Sequence, residues 1–254
     1  MLAALYLGAI RDGVVSKSPC DGMKLPNEPG RKVEPLAVAD VLQVADKIGP
    51  RYGALVVLAA AVGLRQGEVF GVGLDTLDML RRELRVDRQV TLTAGHGPRI
   101  GPPKTTASVR TVPLPDVALD HLARHLERYP ARPVPMETTT GQSLEVPLVF
   151  TDRNGRALSR TRFSDVWRRA VHDAGLPAGT RFHDLRHTAA SALIEGRQSV
   201  KAVQAILGHA TATETLDTYA HLWPSADNQA RATIDRHWSS AHGDDAHPRT
   251  ARGL

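Results

Sequence analysis

The chain of 254 residues has a formal net charge of +5 and a pI of about 9.6, which favours an anionic partner, nucleic acid before a membrane surface. Charge alone fits a basic protein without such a partner equally well. With 42% apolar residues the chain can build the core of one large domain. Its one cysteine, Cys20, excludes an internal disulfide and is typical of a cytoplasmic protein, and no apolar run is long enough to predict a membrane span.

The N-terminal residues 1–32 predict one helix, Leu2 to Asp12, followed by a loop rich in glycine and proline. A single helix cannot bury its apolar face alone. We therefore expect it either to dock on the following domain or to be the last piece of a domain whose remainder is missing.

Two helices are predicted next, at 37–48 and 51–62. The first has Val38, Val41, Leu42 and Ala45 on one face, and the second is apolar on nearly all sides, as a central core helix would be. Gly63 is a plausible end for the second helix. A short helix then begins at Arg65, with Glu68 on the same face. These residues alone favour a surface Arg–Glu pair.

Strand character follows at 83–93, and residues 94–103 predict a hairpin loop. Lys104 comes next, before one or two further strands that extend to Val112. A lysine at a hairpin tip is usually solvated, although this loop could also reach into a groove.

A helix is predicted at 116–128, where His121 and His125 have the spacing of a two-histidine metal site. No third ligand is evident, so a solvated helix face is the interpretation. Residues 130–146 predict a surface loop, 147–151 a short strand and 161–174 a helix. The arginines of that last helix either track a phosphate backbone or keep its face soluble; they are Arg160, Arg162, Arg168 and Arg169.

The stretch 180–221 predicts three helices that carry chemical groups. His183 and Arg186 share a helical face. His209 lies just past the helix that Gly208 ends, and a capping box at Thr211 starts the helix of Tyr219. Taken alone, a tyrosine at such a position is more often part of the core. A last helix is expected at 225–238, and residues 240–254 are expected to be disordered.

These groups suit cleavage of a phosphodiester. Arg65 and Arg186 could neutralise the equatorial phosphate oxygens, because a guanidinium is a planar, permanently charged fork. Tyr219 could attack phosphorus with the help of a local base or of strongly cationic surroundings, and His183 could take its proton.

Three further side chains complete the set. Lys104 could protonate the leaving 5′ oxygen, and Glu68 could orient Arg65 or His183. His209 could donate a hydrogen bond to the phosphate or position the nucleophile. The set covers nucleophile, charge, acid and base, so we expect no metal and no cofactor.

Five segments in this order resemble the tyrosine recombinases, or phage integrase family: GLRQGEV, PPKTTASVRTVPL, HDLRHT, LGH and TLDTYAHL. The resemblance covers residues 33–239 and implies an α+β, mainly α, catalytic domain with a small antiparallel sheet. It also implies site-specific recombination of a phage or mobile element through a 3′-phosphotyrosyl intermediate. The catalytic residues would be Arg65, Lys104, His183, Arg186, His209 and the nucleophile Tyr219, with Glu68 in support.

The family acts on double-stranded DNA, usually as a homotetramer on two synapsed sites, with accessory bending or directionality factors in some systems. A prokaryotic, nucleoid-associated location is therefore expected. Only residues 5–26 resemble the end of the family's N-terminal core-binding domain, so the chain is expected to begin inside a longer ancestral protein. A DNA-binding remnant without activity, or nicking and resealing without strand exchange, are the alternatives.

Overall fold

A computed structural model of the chain describes residues 2–23, 34–92, 97–223, 231 and 233–239. They fall into two compact units, Met1–Lys32 and Val33–Leu254. The first unit contains helix α1, Leu2–Arg11, of which no residue is buried. No described helix is both long and apolar enough to cross a membrane.

Helices are the main secondary structure of the second unit. Their bounds are α2 Val38–Lys47, α3 Gly53–Val62, α4 Gln66–Phe70, α5 Asp116–Arg128, α6 Arg160–Asp173, α7 Asp184–Glu195, α8 Val200–Leu207 and α9 Ala212–Tyr219. Helix α3 is buried at every position but Ala61 and packs against α2, α5 and α7. This explains its apolar residues on all sides. Gly63 ends it with a φ of 71°, as predicted.

The predicted inner face of α2 was wrong in part. Val41 and Val44 are buried, but Val38 is 66% and Leu42 44% exposed. Helix α2 packs against both α3 and α6. The two neighbours turn the Val41–Val44 side of the helix inward, which the spacing of apolar residues alone does not reveal.

In the described part of the chain, seven short strands form two sheets. Their bounds are β1 Leu77–Asp78, β2 Glu83–Val86, β3 Gln89–Leu92, β4 Pro98–Gly101, β5 Arg110–Pro113, β6 Arg132–Thr138 and β7 Ser143–Leu148. One sheet is antiparallel in the order β1-β2-β5, with Leu84 opposite Val112. The other has the order β3-β4-β6-β7, and its β4–β6 pair is parallel. The mainly helical α+β prediction is confirmed, with two small sheets where one was expected.

The predicted surface loop at 130–146 was wrong, because these residues form the β6–β7 hairpin. Val134 and Met136 alternate inward in β6, whereas Pro133 and Pro135 point outward. Strand β6 pairs with β4 only at its last two residues. At Pro133 and Pro135, strand β6 therefore pairs with β7 on one side and with no strand on the other. An unpaired strand edge tolerates proline, which has no N–H to donate. Strand β4 likewise occupies part of the predicted 94–103 loop.

The buried apolar residues of the second unit form two clusters. The large one surrounds α3 and includes both sheets. The small one lies between α7, α8 and α9 and consists of Ala190, Ile194, Val203, Leu207 and Tyr219. Residues 233–239, part of the predicted last helix, are helical, whereas 224–230 and the tail 240–254 lie outside the described residues.

Candidate active site

Arg65 and Glu68 form a buried pair at the start of α4. The Glu68 carboxylate accepts the Arg65 backbone N–H at 2.9 Å and its guanidinium at 3.0 Å. The Glu68 side chain is 1% exposed and that of Arg65 30%. The surface pair favoured by the hexapeptide alone was therefore the wrong interpretation: the carboxylate belongs to the interior and holds a partly open arginine.

Arg110 of β5 is a second partner of Glu68 and was missed in the sequence. Its guanidinium donates to both carboxylate oxygens, at 3.2 and 3.1 Å, and its side chain is nearly buried. Strand alternation puts Arg110 on the same side of β5 as the buried Val112. That period of two was a signal that could have identified an inward-facing arginine.

Glu68 is held as a carboxylate between the two arginines. Burial by itself raises its pKa, but the charge and hydrogen bonds of Arg110, with those of Arg65, outweigh burial and lower the pKa overall. The carboxylate neutralises one of the two guanidinium charges. An excess of positive charge remains at the open side of Arg65.

Arg186 lies at the first turn of α7 and is 2% exposed. Its Nη1 donates to the carbonyl of Gly63 at 2.7 Å, while its buried Nη2 has no hydrogen-bond partner among the described residues. Burial and the charge of Arg65 lower the pKa of Arg186 to about 10, so it stays charged at neutral pH. An unpaired buried N–H is costly, and an anionic ligand would satisfy it.

Gly208 joins the α8 end to the arginines. Its carbonyl accepts Arg65 Nη2 at 3.2 Å, and its φ is 69°. A Cβ at this position would lie 2.9 Å from Nη1 of Arg110, and Arg110 Nε donates to the carbonyl of Ile206 at 2.7 Å. A glycine is thus required both for the backbone angle and for the approach of the guanidinium.

His209 follows directly and is buried. Its Nδ1 lies 2.8 Å from the Thr215 hydroxyl and its Nε2 lies 3.7 Å from Glu214 Oε1. Burial, together with the charge of Arg186, lowers the pKa of His209 to about 4. The ring is neutral at physiological pH and can present one N–H donor without adding charge.

The Tyr219 hydroxyl contacts a histidine that sequence reasoning did not select. His187 Nδ1 lies 2.8 Å from it, and the Tyr219 side chain is almost completely buried. Burial raises the pKa of Tyr219 to about 12, although Arg186 opposes the shift. His187 is four residues after His183, on the same helical face, and that spacing was the available signal.

His183 lies beside this pair. Its ring stands edge-on to that of His187, with 4.9 Å between centroids. Burial and the charge of Arg186 lower the pKa of His183. The contacts therefore connect His183 to Tyr219 through His187, and not directly as expected.

Lys104 is the predicted site residue that the structure does not bring into contact with the others. It is exposed, and it forms no hydrogen bond or ion pair within the described part of the chain. It lies after β4, not at the β3–β4 hairpin tip. The next residue, Thr105, bonds to Ser108, whose hydroxyl accepts Arg65 Nη1 at 3.2 Å. The segment of Lys104 is thereby tied to the site.

The helix α5 histidines form no candidate metal site. His121 is exposed and contacts the Val117 carbonyl, whereas His125 is buried against Phe150 with Nε2 3.1 Å from the Val149 carbonyl. The predicted solvated face was wrong for His125, which packs in the core. No group of three possible ligands occurs among the described residues.

A model of the phage integrase family matches residues 33–225. The chain is 31% identical to a tyrosine recombinase XerC-like protein of Caldanaerobacter subterraneus subsp. tengcongensis. The match covers 92% of this chain and 63% of that relative. The chain is also 28% identical to tyrosine recombinase XerC of Alcanivorax borkumensis, over 99% of this chain and 72% of that one. The chain thus spans less than two thirds of the length of the first of these relatives.

Solved structures have the same fold. The Tn1549 transposon integrase, in complex with circular intermediate DNA, matches at a TM-score of 0.69 and 26% identity, over 93% of this chain and 76% of that one. The XerA recombinase matches at a TM-score of 0.56 and 18% identity, over 93% and 73%, a likeness of fold alone. With a family match over most of its length and the fold of a solved integrase, the chain belongs to the phage integrase family.

Proposed function

We propose that residues 33–239 are a catalytic domain that cleaves and rejoins DNA at a specific site. The observation that carries the proposal is a buried Tyr219 hydroxyl under the electrostatic influence of Arg186, a buried arginine whose Nη2 has no hydrogen-bond partner among the described residues. Family membership and relatives named tyrosine recombinases support it. So does a related integrase solved with transposon right end DNA.

The proposed reaction starts with the scissile phosphate between Arg65 and Arg186. Their guanidinium groups neutralise its nonbridging oxygens, and Nε2–H of His209 donates to one of them while its Nδ1 accepts from Thr215. Preorganisation supports this role, because Glu68 and Gly208 already fix the Arg65 side chain.

Tyr219 Oη then forms a bond to phosphorus, and the bond from phosphorus to the 5′ oxygen breaks. Lys104 donates a proton to that oxygen, which leaves as a hydroxyl. The 3′-phosphotyrosyl bond retains the energy of the broken one. A 5′ hydroxyl of the same or another strand can therefore reverse the step without ATP.

The wider setting belongs to the same proposal. It includes a homotetramer on two synapsed sites, accessory factors and a nucleoid location in a prokaryotic cytoplasm. Residues 1–32 are proposed to be the end of a core-binding domain, and residues 225–238 to contact a neighbouring subunit.

Covalent capture tests the function. A pool of nicked duplexes with a random central sequence is incubated with the protein, and DNA that stays attached in detergent is collected and sequenced. We expect one enriched sequence, and a nicked duplex of that sequence should give an adduct with wild type but not with Tyr219→Phe. Both proteins should bind the duplex noncovalently, with an affinity that falls steeply with salt.

The alternative is a DNA-binding protein without cleavage. Binding of the pool by wild type with no adduct at any duplex would support it. Failure to bind any duplex would contradict both functions.

A further inference from the structure

We infer that His187 is the base that accepts the phenolic proton of Tyr219, a role that rests on the proposed function. The neighbouring His183, by its place in HDLRHT, was the first candidate for this task. The structure puts another imidazole nitrogen at the reacting oxygen. His187 Nδ1 and Tyr219 Oη are 2.8 Å apart, the distance at which a phenol donates to a neutral imidazole.

The nucleophile needs such an acceptor. Tyr219 is 1% exposed, so water has little access to its hydroxyl. Burial raises its pKa to about 12, and a phenol of that kind is almost entirely protonated at neutral pH. The charge of Arg186 favours the phenolate but cannot remove the proton, since an arginine has no acceptor atom.

The other ring nitrogens near Tyr219 are less suited to the task. His209 stacks on the Tyr219 ring at 6.2 Å, its Nδ1 is occupied by Thr215, and its pKa of about 4 makes it a weak base. His183 reaches the phenol only through the ring of His187. Of the described histidines, His187 is the one placed to take the proton directly.

The proton transfer balances with the chemistry of the site. As Tyr219 Oη bonds to phosphorus, its O–H bond breaks and the proton moves to His187 Nδ1, which gives an imidazolium. The 5′ oxygen receives a different proton from Lys104. When the strand is resealed, the attacking 5′ hydroxyl gives its proton back to Lys104, and the imidazolium returns its proton to the departing phenolate.

Charged groups surround the pair. Those that act on Tyr219 and on the neighbouring His183 and His209 are Arg65, Arg110, Arg160, Arg186, Asp184 and Glu214. The arginines disfavour an imidazolium at this site, and the two carboxylates favour it. A base must be neutral to act, so a proton already on the His187 ring would block the transfer.

The test uses single-turnover adduct formation on the duplex selected by covalent capture. His187→Asn keeps an acceptor oxygen close to the position of Nδ1 but cannot take up a proton. We expect its rate to fall by about 100-fold, with DNA affinity unchanged. His121→Asn changes an exposed histidine and should react at the wild-type rate.

A fluorinated tyrosine in place of Tyr219 tests whether His187 acts as a base or only positions the phenol ring. Because its phenol is more acidic, it needs less help from a base. It should restore about 10-fold or more of the rate in His187→Asn and change wild type by less. A group that only orients the ring would give the same response in both backgrounds.

Three outcomes would overturn the inference. A His187→Asn variant as fast as wild type would show that no base is needed at this position. A faster variant would mean that the contact holds the nucleophile back. If wild type itself binds DNA but forms no adduct, the proposed function fails, and the role of His187 fails with it.

Discussion

The two sides of the site are built differently. The side of Arg65, Glu68 and Arg110 stands on the large core, and each of these side chains is fixed by several hydrogen bonds. The side of Tyr219 stands on the small cluster between α7, α8 and α9. The Tyr219 hydroxyl itself makes a single hydrogen bond among the described residues, to His187.

The difference separates two requirements of the proposed chemistry. Stabilising a charged transition state needs donors that do not move, because reorganisation costs energy at the moment of reaction. A nucleophile must instead reach phosphorus, and it can be carried by an element with fewer stabilising contacts. The following changes test whether the two sides are energetically distinct.

Glu68→Ala should have the largest effect on stability. The change leaves Arg65 and Arg110 close together without the carboxylate that they share. Removing one partner of a buried ion pair, here the Glu68–Arg110 pair, costs about 3–5 kcal/mol. Denaturant unfolding measures the loss. Asp165→Ala removes an exposed partner of Arg168 and should change stability by about 0.5 kcal/mol or less. If the two changes destabilised the protein equally, the buried Glu68 carboxylate would not be a major contributor to stability.

Leu207→Ala should weaken the nucleophile side alone. It deletes a fully buried side chain of the small cluster, at a cost of about 2–5 kcal/mol. Hydrogen exchange should quicken in α8 and α9 and stay slow in α3. The matched change Leu58→Ala in the large core should quicken exchange throughout the second unit. If both variants exchange faster throughout the second unit, the small cluster and the large core are not separate in stability.

Gly208→Ala should have a smaller effect, at the contact between the two sides. The left-handed backbone angle and the approach to Arg110 together should cost about 1–3 kcal/mol. Thermal unfolding measures this cost. Gly155→Ala provides the control, because it has a φ of 73° but open space around its Cβ. If the two variants lose equal stability, the approach of Arg110 contributes nothing.

Another expected effect is a loss of stability in weak acid. The folded-state pKa of His209, about 4, is lower than its ordinary value of 6.5 because burial and Arg186 disfavour the charge. The unfolded chain therefore binds a proton that the folded chain does not, and stability falls as the pH drops from about 6.5 to about 4. His209→Gln should flatten this part of a stability–pH curve, and a variant with the wild-type slope would contradict the prediction.

Much of the site was predictable because its helix ends have local signals. Thr211 accepts the capping hydrogen bond expected of it, Ser199 caps α8 in the same way, and Gly63 and Gly208 end their helices with positive φ. These signals place His209 just after the end of α8 and Tyr219 in the last turn of α9. Arg110 and His187 were missed, although strand alternation and the i, i+4 spacing offered weak indications of each.

The prolines of β6 show a different kind of failure. Proline and threonine at 130–146 favour a loop by local preference, yet Val134 and Met136 find a buried surface. Pairing with β7 then stabilises a strand that the local sequence disfavours.

The sequence by itself determined the helices, their ends, the mainly helical fold class and the residue types of a phosphate site, since these depend on neighbours a few positions apart. Tertiary structure decided which groups meet. Glu68 contacts Arg110 across 42 positions, and Arg186 contacts the Gly63 carbonyl across 123. Such pairs form only when the cores bring their elements together, and the burial that results is what shifts the pKa values of His209 and Tyr219.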